Sequence, residues 1–123
     1  MKFRYARHTA QLEKMTEFYV EVIELKVLGS FEKHSGYNGV FLGKENMDWY
    51  LEFTESNDPP KHNFDADDAL VFYLNDKEEV DTFKKKLIAT GINIYPYKNP
   101  YWNNHGVSLK DPDGHPVILA YRP

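Results

Sequence analysis

No cysteine occurs among the 123 residues, which excludes disulfides, thiolate metal sites and cysteine nucleophiles. A basic block is missing too. Lys and Arg total 15 against 19 Asp and Glu, for a formal charge of −4, whereas a nucleic-acid partner needs clustered cations. No apolar run approaches the length of a membrane span, and the opening Met1-Lys2-Phe3-Arg4-Tyr5-Ala6-Arg7 contains no apolar signal region. A soluble, cytoplasmic protein with no membrane partner is the expectation. Neither a Gly-rich phosphate loop, a Gly-x-Ser-x-Gly elbow nor a Ser-His-Asp order can be found. What is present is a globular composition, 41% hydrophobic and 15% aromatic, in a length that suits one domain or two small modules sharing a core.

The richest stretch lies near the end. Two strand-like runs, His105 to Lys110 and His115 to Tyr121, flank Asp111-Pro112-Asp113-Gly114. Pro112 presets φ for the first corner, Asp113 tolerates the second, and Gly114 closes the turn without a Cβ penalty.

The chain before it reads as the same unit twice. Lys2 to His8 reads as a strand, and Thr9 can cap a helix in which Leu12, Met15, Tyr19, Val22 and Ile23 recur on one face, widened by Phe18. Lys26 to Glu32, Tyr37 to Leu42 and Asp48 to Thr54 are further strands, the second entered from a turn at Ser35-Gly36. Period-two alternation in the last puts Trp49, Leu51 and Phe53 on one face and Tyr50, Glu52 and Thr54 on the other. Residues 55–68, with Pro59-Pro60 among Asn, Asp and Ser, read as an exposed connection. Ala69 to Leu74 is then a nearly all-apolar strand. Asp76 and Glu79 suggest a capping box for a helix with Val80, Phe83, Leu87 and Ile88 on one face and Gly91 as its C-terminal cap. Ile92 to Tyr95 reads as a short strand limited by Pro96, and Tyr97 to Asn104 as a loop. The expected fold class is α+β: two βαβββ modules, each packing a helix on one sheet face and leaving the other to curve around something.

This duplicated layout, the Phe18-Tyr19 pair late in the first helix and the Asp111-Pro112-Asp113-Gly114 turn resemble the glyoxalase, bleomycin-resistance protein and dioxygenase (vicinal oxygen chelate) superfamily. The resemblance covers nearly the whole chain. It implies a single glyoxalase-like domain over 1–123, with modules 1–55 and 67–123 forming a curved mixed-sheet cup that holds a metal or a small ligand. Glu24 departs from the pattern, standing where the family usually has Gly after the first helix.

Metal-using members place a His early in the first strand, a position that here is Arg4. Their second ligand opens the strand of the second module, at Ala69 or Leu70. A Glu in the fourth strand is matched by Glu52, and the last Glu, four residues past the turn Gly, falls on Ile118. One ligand in four survives, so the expectation is no metal at the family's usual place and no cofactor. A displaced site from His8, Glu52 and His105 stays open beside the plainer reading of His8 as a pocket-lining or helix-entry imidazole and His105 as a surface residue. His34, His62 and His115 occupy turn or loop positions and look incidental.

If Arg4 and Glu52 point into one cup, they pair with each other or offer a guanidinium fork, oriented by the carboxylate, to an anionic ligand. The candidate ligand-binding residues are Arg4, His8, Tyr50, Glu52, Tyr73 and Ile118, with Tyr101 and Trp102 as a stacking lid. Ala6, Val71 and Ala120 would share that surface, while Leu70, Phe72, Leu74, Val117 and Leu119 would pack under the helices. Two functions follow from the resemblance. One is a binding module that sequesters a small aromatic or amphipathic molecule. The alternative is a metal-dependent lyase, thiol transferase or dioxygenase with a relocated site; a metal-free role with Glu52 as catalytic base also stays open. The sheet edges and concave face predict a homodimer, with a small molecule as the other partner.

Overall fold

Alternation and helical periodicity become real elements at close to the expected positions. The computed structural model describes all 123 residues, which divide into two compact units, Met1–His62 and Asn63–Pro123. The first unit runs β1 (Phe3–His8), α1 (Leu12–Glu17) with a π-helical continuation (Phe18–Val22), β2 (Lys26–His34), β3 (Tyr37–Gly43) and β4 (Trp49–Glu55). Its four-stranded sheet has the order β1-β4-β3-β2, with β1 parallel to β4 and the other neighbours antiparallel. The chain is thus a mixed α+β protein with two small mixed sheets.

The helix of the first unit buries the expected stripe: Met15, Tyr19 and Ile23 are sealed together with Val40, Leu42, Leu51 and Phe53 of the sheet. Tyr19 and Phe53 carry the centre of this core, their rings 5.1 Å apart. The residue at the start of the helix is Gln11, two positions after Thr9. Gln11 holds the capping position with no side-chain capping bond, and the Thr9 hydroxyl accepts the Gln11 N–H at 3.1 Å. At the other end the turn widens, so that Ile23 N–H reaches Phe18 O at 3.3 Å and Leu25 N–H reaches Tyr19 O at 2.9 Å. Glu24 closes this end with φ of 67°, a left-handed conformation that glycine adopts without penalty. The departure from Gly therefore changes the residue and keeps the conformation.

The second unit runs β5 (Leu70–Tyr73), α2 (Lys77–Ala89), α3 (Pro100–His105), β6 (Gly106–Lys110) and β7 (Pro116–Ala120), with sheet order β5-β7-β6. Asp76 caps α2 by accepting the Glu79 N–H at 2.9 Å, while Glu79 reaches back to Asn75 N–H at 3.2 Å, one residue before a standard capping box. At the far end Gly91 N–H donates to Ile88 O and Ile92 N–H to Leu87 O, a Schellman closure with Gly91 at φ 77°. Val80 and Leu87 are the buried residues of this helix, and Val117 and Leu119 are sealed on the sheet.

Two expectations need correction. Ile92 to Tyr95 is not a ladder strand; only Tyr95 bridges, to Ser108. Pro96 lacks an N–H to continue the ladder, and the next residue, Tyr97, is drawn into the unit's core. Nor is Tyr97 to Asn104 all loop: Pro100–His105 is helical, with Asn99 accepting the Tyr101 N–H at 3.1 Å and Pro100 at the first turn.

The terminal turn is pinned from within. Asp111 is buried, and its Oδ1 accepts the N–H of Asp113 at 2.9 Å and of His115 at 3.1 Å. Gly114 sits at φ 86° and donates to Asp111 O at 2.8 Å. His115 is not incidental. It is buried, its Nδ1 lies 2.8 Å from Pro116 O, and Phe64 packs on its ring at 4.5 Å.

Candidate functional site

In the first unit, the parallel register Arg4↔Tyr50, Ala6↔Glu52 and His8↔Thr54 puts these residues on the sheet face opposite the helix. Arg4 and Glu52 lie 3.5 Å apart, Nη1 to Oε1, with the arginine side chain 50% exposed and the carboxylate 13% exposed. The guanidinium carbon also lies 5.8 Å from the Tyr50 ring centre. A pair this exposed on one side contributes about 1 kcal/mol or less to folding. Its effect is to hold the guanidinium in place while leaving much of it open.

Sequence reasoning missed the aromatic half of this face. Phe41 stands edge-on to Tyr50 at 5.7 Å and beside Phe31 at 5.8 Å. Phe31 in turn lies across Gly39, where a Cβ would come within 2.3 Å of its ring carbons. The wall therefore grades from Arg4 and Glu52, through Tyr50 and Phe41, to Phe31. His8 borders it with both ring nitrogens engaged: Nδ1 with Thr54 Oγ1 at 2.7 Å, and Nε2 with Ser56 Oγ and Asp58 O, both at 3.0 Å. Tyr37 stacks edge-on against it at 5.7 Å.

On the core face of the same strand Arg7 is also buried, its guanidinium 5.1 Å from the Phe53 ring centre. Odd-even alternation assigns Arg7 to that face, yet a buried arginine there runs against the usual preference for apolar residues.

Tyr73, Tyr101, Trp102 and Ile118 belong to the second unit and have different surroundings. Ile118 has no exposed surface; Tyr97 and Ala120 are buried with it, and Ala69, Val71 and Trp102 pack against the cluster. A ligand would reach Ile118 only by displacing these side chains. Trp102, partly buried, packs against this cluster. Tyr101 is exposed on α3, edge-on to Trp102 at 5.0 Å and beside His105 at 4.6 Å. Tyr73 is exposed too, with the Arg122 guanidinium 4.7 Å over its ring.

The residues at the superfamily's metal positions do not fit a divalent ion. Arg4 is a cation held by Glu52, Ile118 is an enclosed hydrocarbon, and Ala69 and Leu70 carry no donor atom. For the displaced alternative, both nitrogens of His8 have protein partners and Glu52 is paired with Arg4, while His105 engages Tyr101 O through Nδ1 at 3.0 Å, leaving Nε2 as its outward nitrogen. No group of three or more His, Cys, Asp or Glu side chains is placed to hold a metal ion.

Tyr97 plugs the second unit's core with its hydroxyl donating to Asp68 O at 2.6 Å, while Asn103 brackets its backbone. Burial pushes its pKa above the usual tyrosine value, with Asp67, Asp68 and Asp65 adding to the effect. Above about pH 10 the unfolded chain loses this proton first, so stability is complete below that value and falls as pH rises through the folded value. We predict that, as pH rises above about 10, the urea midpoint drops more steeply in the unmutated protein than in Tyr97→Phe. At neutral pH that variant should be less stable by about 1 kcal/mol, from the lost hydrogen bond.

The same two-unit arrangement recurs in known proteins. The two units coincide with two family models, the YycE-like N-terminal domain over residues 3–54 and the YycE-like C-terminal domain over 67–121. YycE of Bacillus subtilis (strain 168) is 39% identical over 122 residues, covering 96% of this chain and 86% of that protein. A crystal structure of a YycE protein of unknown function from Bacillus subtilis superposes with a TM-score of 0.82 at 37% identity, covering 97% and 88% of the two chains. More distant likenesses, which concern the fold alone, include glyoxalase I of Leishmania major (TM-score 0.74, 21% identity, 96% and 84% covered). TnmS3, an antibiotic binding protein from Streptomyces sp. CB03234, is another (TM-score 0.73, 20% identity, 100% and 96% covered). The chain belongs to the YycE-like family, within the glyoxalase/bleomycin-resistance (vicinal oxygen chelate) superfamily. No helix is long and apolar enough to cross a membrane.

Proposed function

We propose that this protein binds a small organic anion with a flat apolar part on the Arg4–Glu52 face of its first unit, without the superfamily's metal. The observation that carries the reading is a half-exposed guanidinium oriented by Glu52 and Tyr50, at the position that the superfamily resemblance implies for a metal-binding histidine. Such a fork matches a carboxylate or phosphonate. The neighbouring Phe41 and Phe31 rings supply an apolar surface for the rest of the molecule. Glu52 already serves Arg4, which favours an orienting role over that of a proton-abstracting base.

Benzoate, a minimal flat anion, tests the reading by calorimetric or NMR titration. Arg4→Met should weaken binding by about tenfold, or about 1.4 kcal/mol, since half the guanidinium is solvated and the full strength of a desolvated charged bond is not available. Arg4→Lys should recover only part of this loss, because an ammonium lacks the planar fork. Equal affinity in Arg4→Met and the unmutated protein would sink the proposal.

A further inference from the structure

The second unit holds a groove of about 490 Å³, lined by Phe64, Tyr95, Tyr97, Lys98, Ser108 and Lys110 among others. Its register is fixed by the sheet: Ser108 lies opposite Ile118 on β7 and bridges Tyr95 on its other side. Ser108 is 5% exposed and its hydroxyl has no hydrogen-bond partner. A buried hydroxyl without a partner is rare in folded proteins and costly where it occurs. Here it lies in the wall of an open groove.

The surroundings limit what could satisfy it. Tyr95, Tyr97, Phe64, Pro96, Leu109 and Pro116 make the lining largely ring and hydrocarbon, suited to a flat aromatic body. Ser108 is neutral, so the ligand's inner head is a neutral hydrogen-bonding group; a charge there would lack an opposite charge among these neighbours. The charges on the lining are Lys98, Lys110 and Asp65. Lys110 Nζ rests 4.9 Å over the Tyr95 ring, and Lys98 Nζ lies 3.7 Å from the exposed Asp67 carboxylate. Both cations therefore have loose, solvent-facing contacts that an outer carboxylate could join.

We infer that this groove of the second unit is a binding site for a hydroxyaryl acid whose phenolic hydroxyl pairs with Ser108 and whose carboxylate meets Lys98 and Lys110. The recognition is by the inner hydroxyl. A site that hydrogen-bonds a substrate OH discriminates against the analogue lacking it, because the buried polar group is then left unpaired.

Two probes that differ by that one group test the assignment: 4-hydroxycinnamate and cinnamate, titrated while amide resonances are followed by NMR. The unmutated protein should bind 4-hydroxycinnamate at least fivefold more tightly than cinnamate, with shifts at Tyr95, Ser108, Lys110 and Gly114. Ser108→Ala should bring the two affinities together. It should also melt no lower than the unmutated protein when no probe is present, since it removes a hydroxyl with no partner. Lys110→Met should weaken both probes alike, as read at the Tyr95, Ser108 and Gly114 resonances, and leave their ratio unchanged. A ratio near one in the unmutated protein would overturn the inference. So would a ratio that persists in Ser108→Ala, or shifts confined to Arg4, Tyr50 and Glu52.

Discussion

Phe53→Ala should lower the stability of the first unit by about 3–5 kcal/mol, because it removes the ring at the centre of that unit's core. Phe53 is completely buried, with the equally buried Tyr19 ring 5.1 Å away on one side and the Arg7 guanidinium 5.1 Å from its ring centre. Truncation therefore leaves a cavity between helix and sheet. It also strips the buried Arg7 of its aromatic face, which adds to the cost. Denaturant unfolding followed by hydrogen exchange would check this, with loss of protection concentrated at residues 3–54. A loss below about 1 kcal/mol would mean that the core collapses around the gap, contrary to close packing.

Gly106→Ala should cost about 2–4 kcal/mol, for a different reason. Its backbone is extended, with φ of −167°, so conformational freedom is not the issue. A Cβ at this position would fall 2.6 Å from Leu119 O, 3.0 Å from Ala120 Cβ and 3.1 Å from Ala120 Cα. Two of these atoms are backbone and cannot swing aside, so β6 must separate from β7 where α3 hands the chain to the sheet. Gly114→Ala gives the contrast. Nothing lies within 4 Å of its Cβ, but φ is 86°, so that substitution should cost only about 1 kcal/mol. Urea midpoints of the two variants should rank in that order, and equal midpoints would refute the steric explanation.

Much of the first unit is legible in the sequence because period-two alternation is a strong signal wherever one face is buried. Leu51 and Phe53 against Glu52 and Tyr50 is enough to assign β4, and the parallel register then carries Arg4 and His8 to the Glu52 side. Phe31 escapes such a reading because β2 carries extra residues against β3 between Val27 and Gly29 and again between Phe31 and His34. Alternation counted along the sequence loses the face at each shift. Phe41, by contrast, lies opposite Glu52 on the unshifted β3–β4 ladder, and only the pairing itself has to be known. In the second unit alternation does place Ile118 and Ala120 on one face, but what covers them comes from Tyr97 and from Trp102 on α3. The Asn and Pro content that suggests a loop there is in fact a start signal, an Asn99 cap followed by Pro100 at the first turn. His115 looks like a turn residue because turn chemistry surrounds it. Its burial depends on Phe64, which lies in a stretch whose composition suggests only an exposed connection.

Binding on the Arg4–Glu52 face should need no metal. Elemental analysis of protein purified without an affinity tag, followed by benzoate titration before and after treatment with a chelator, tests this most directly. The expected result is well under one Mn, Fe, Ni or Zn per chain and a benzoate affinity unchanged by chelation. About one metal ion per chain, lost on Glu52→Ala and needed for benzoate to bind, would contradict it.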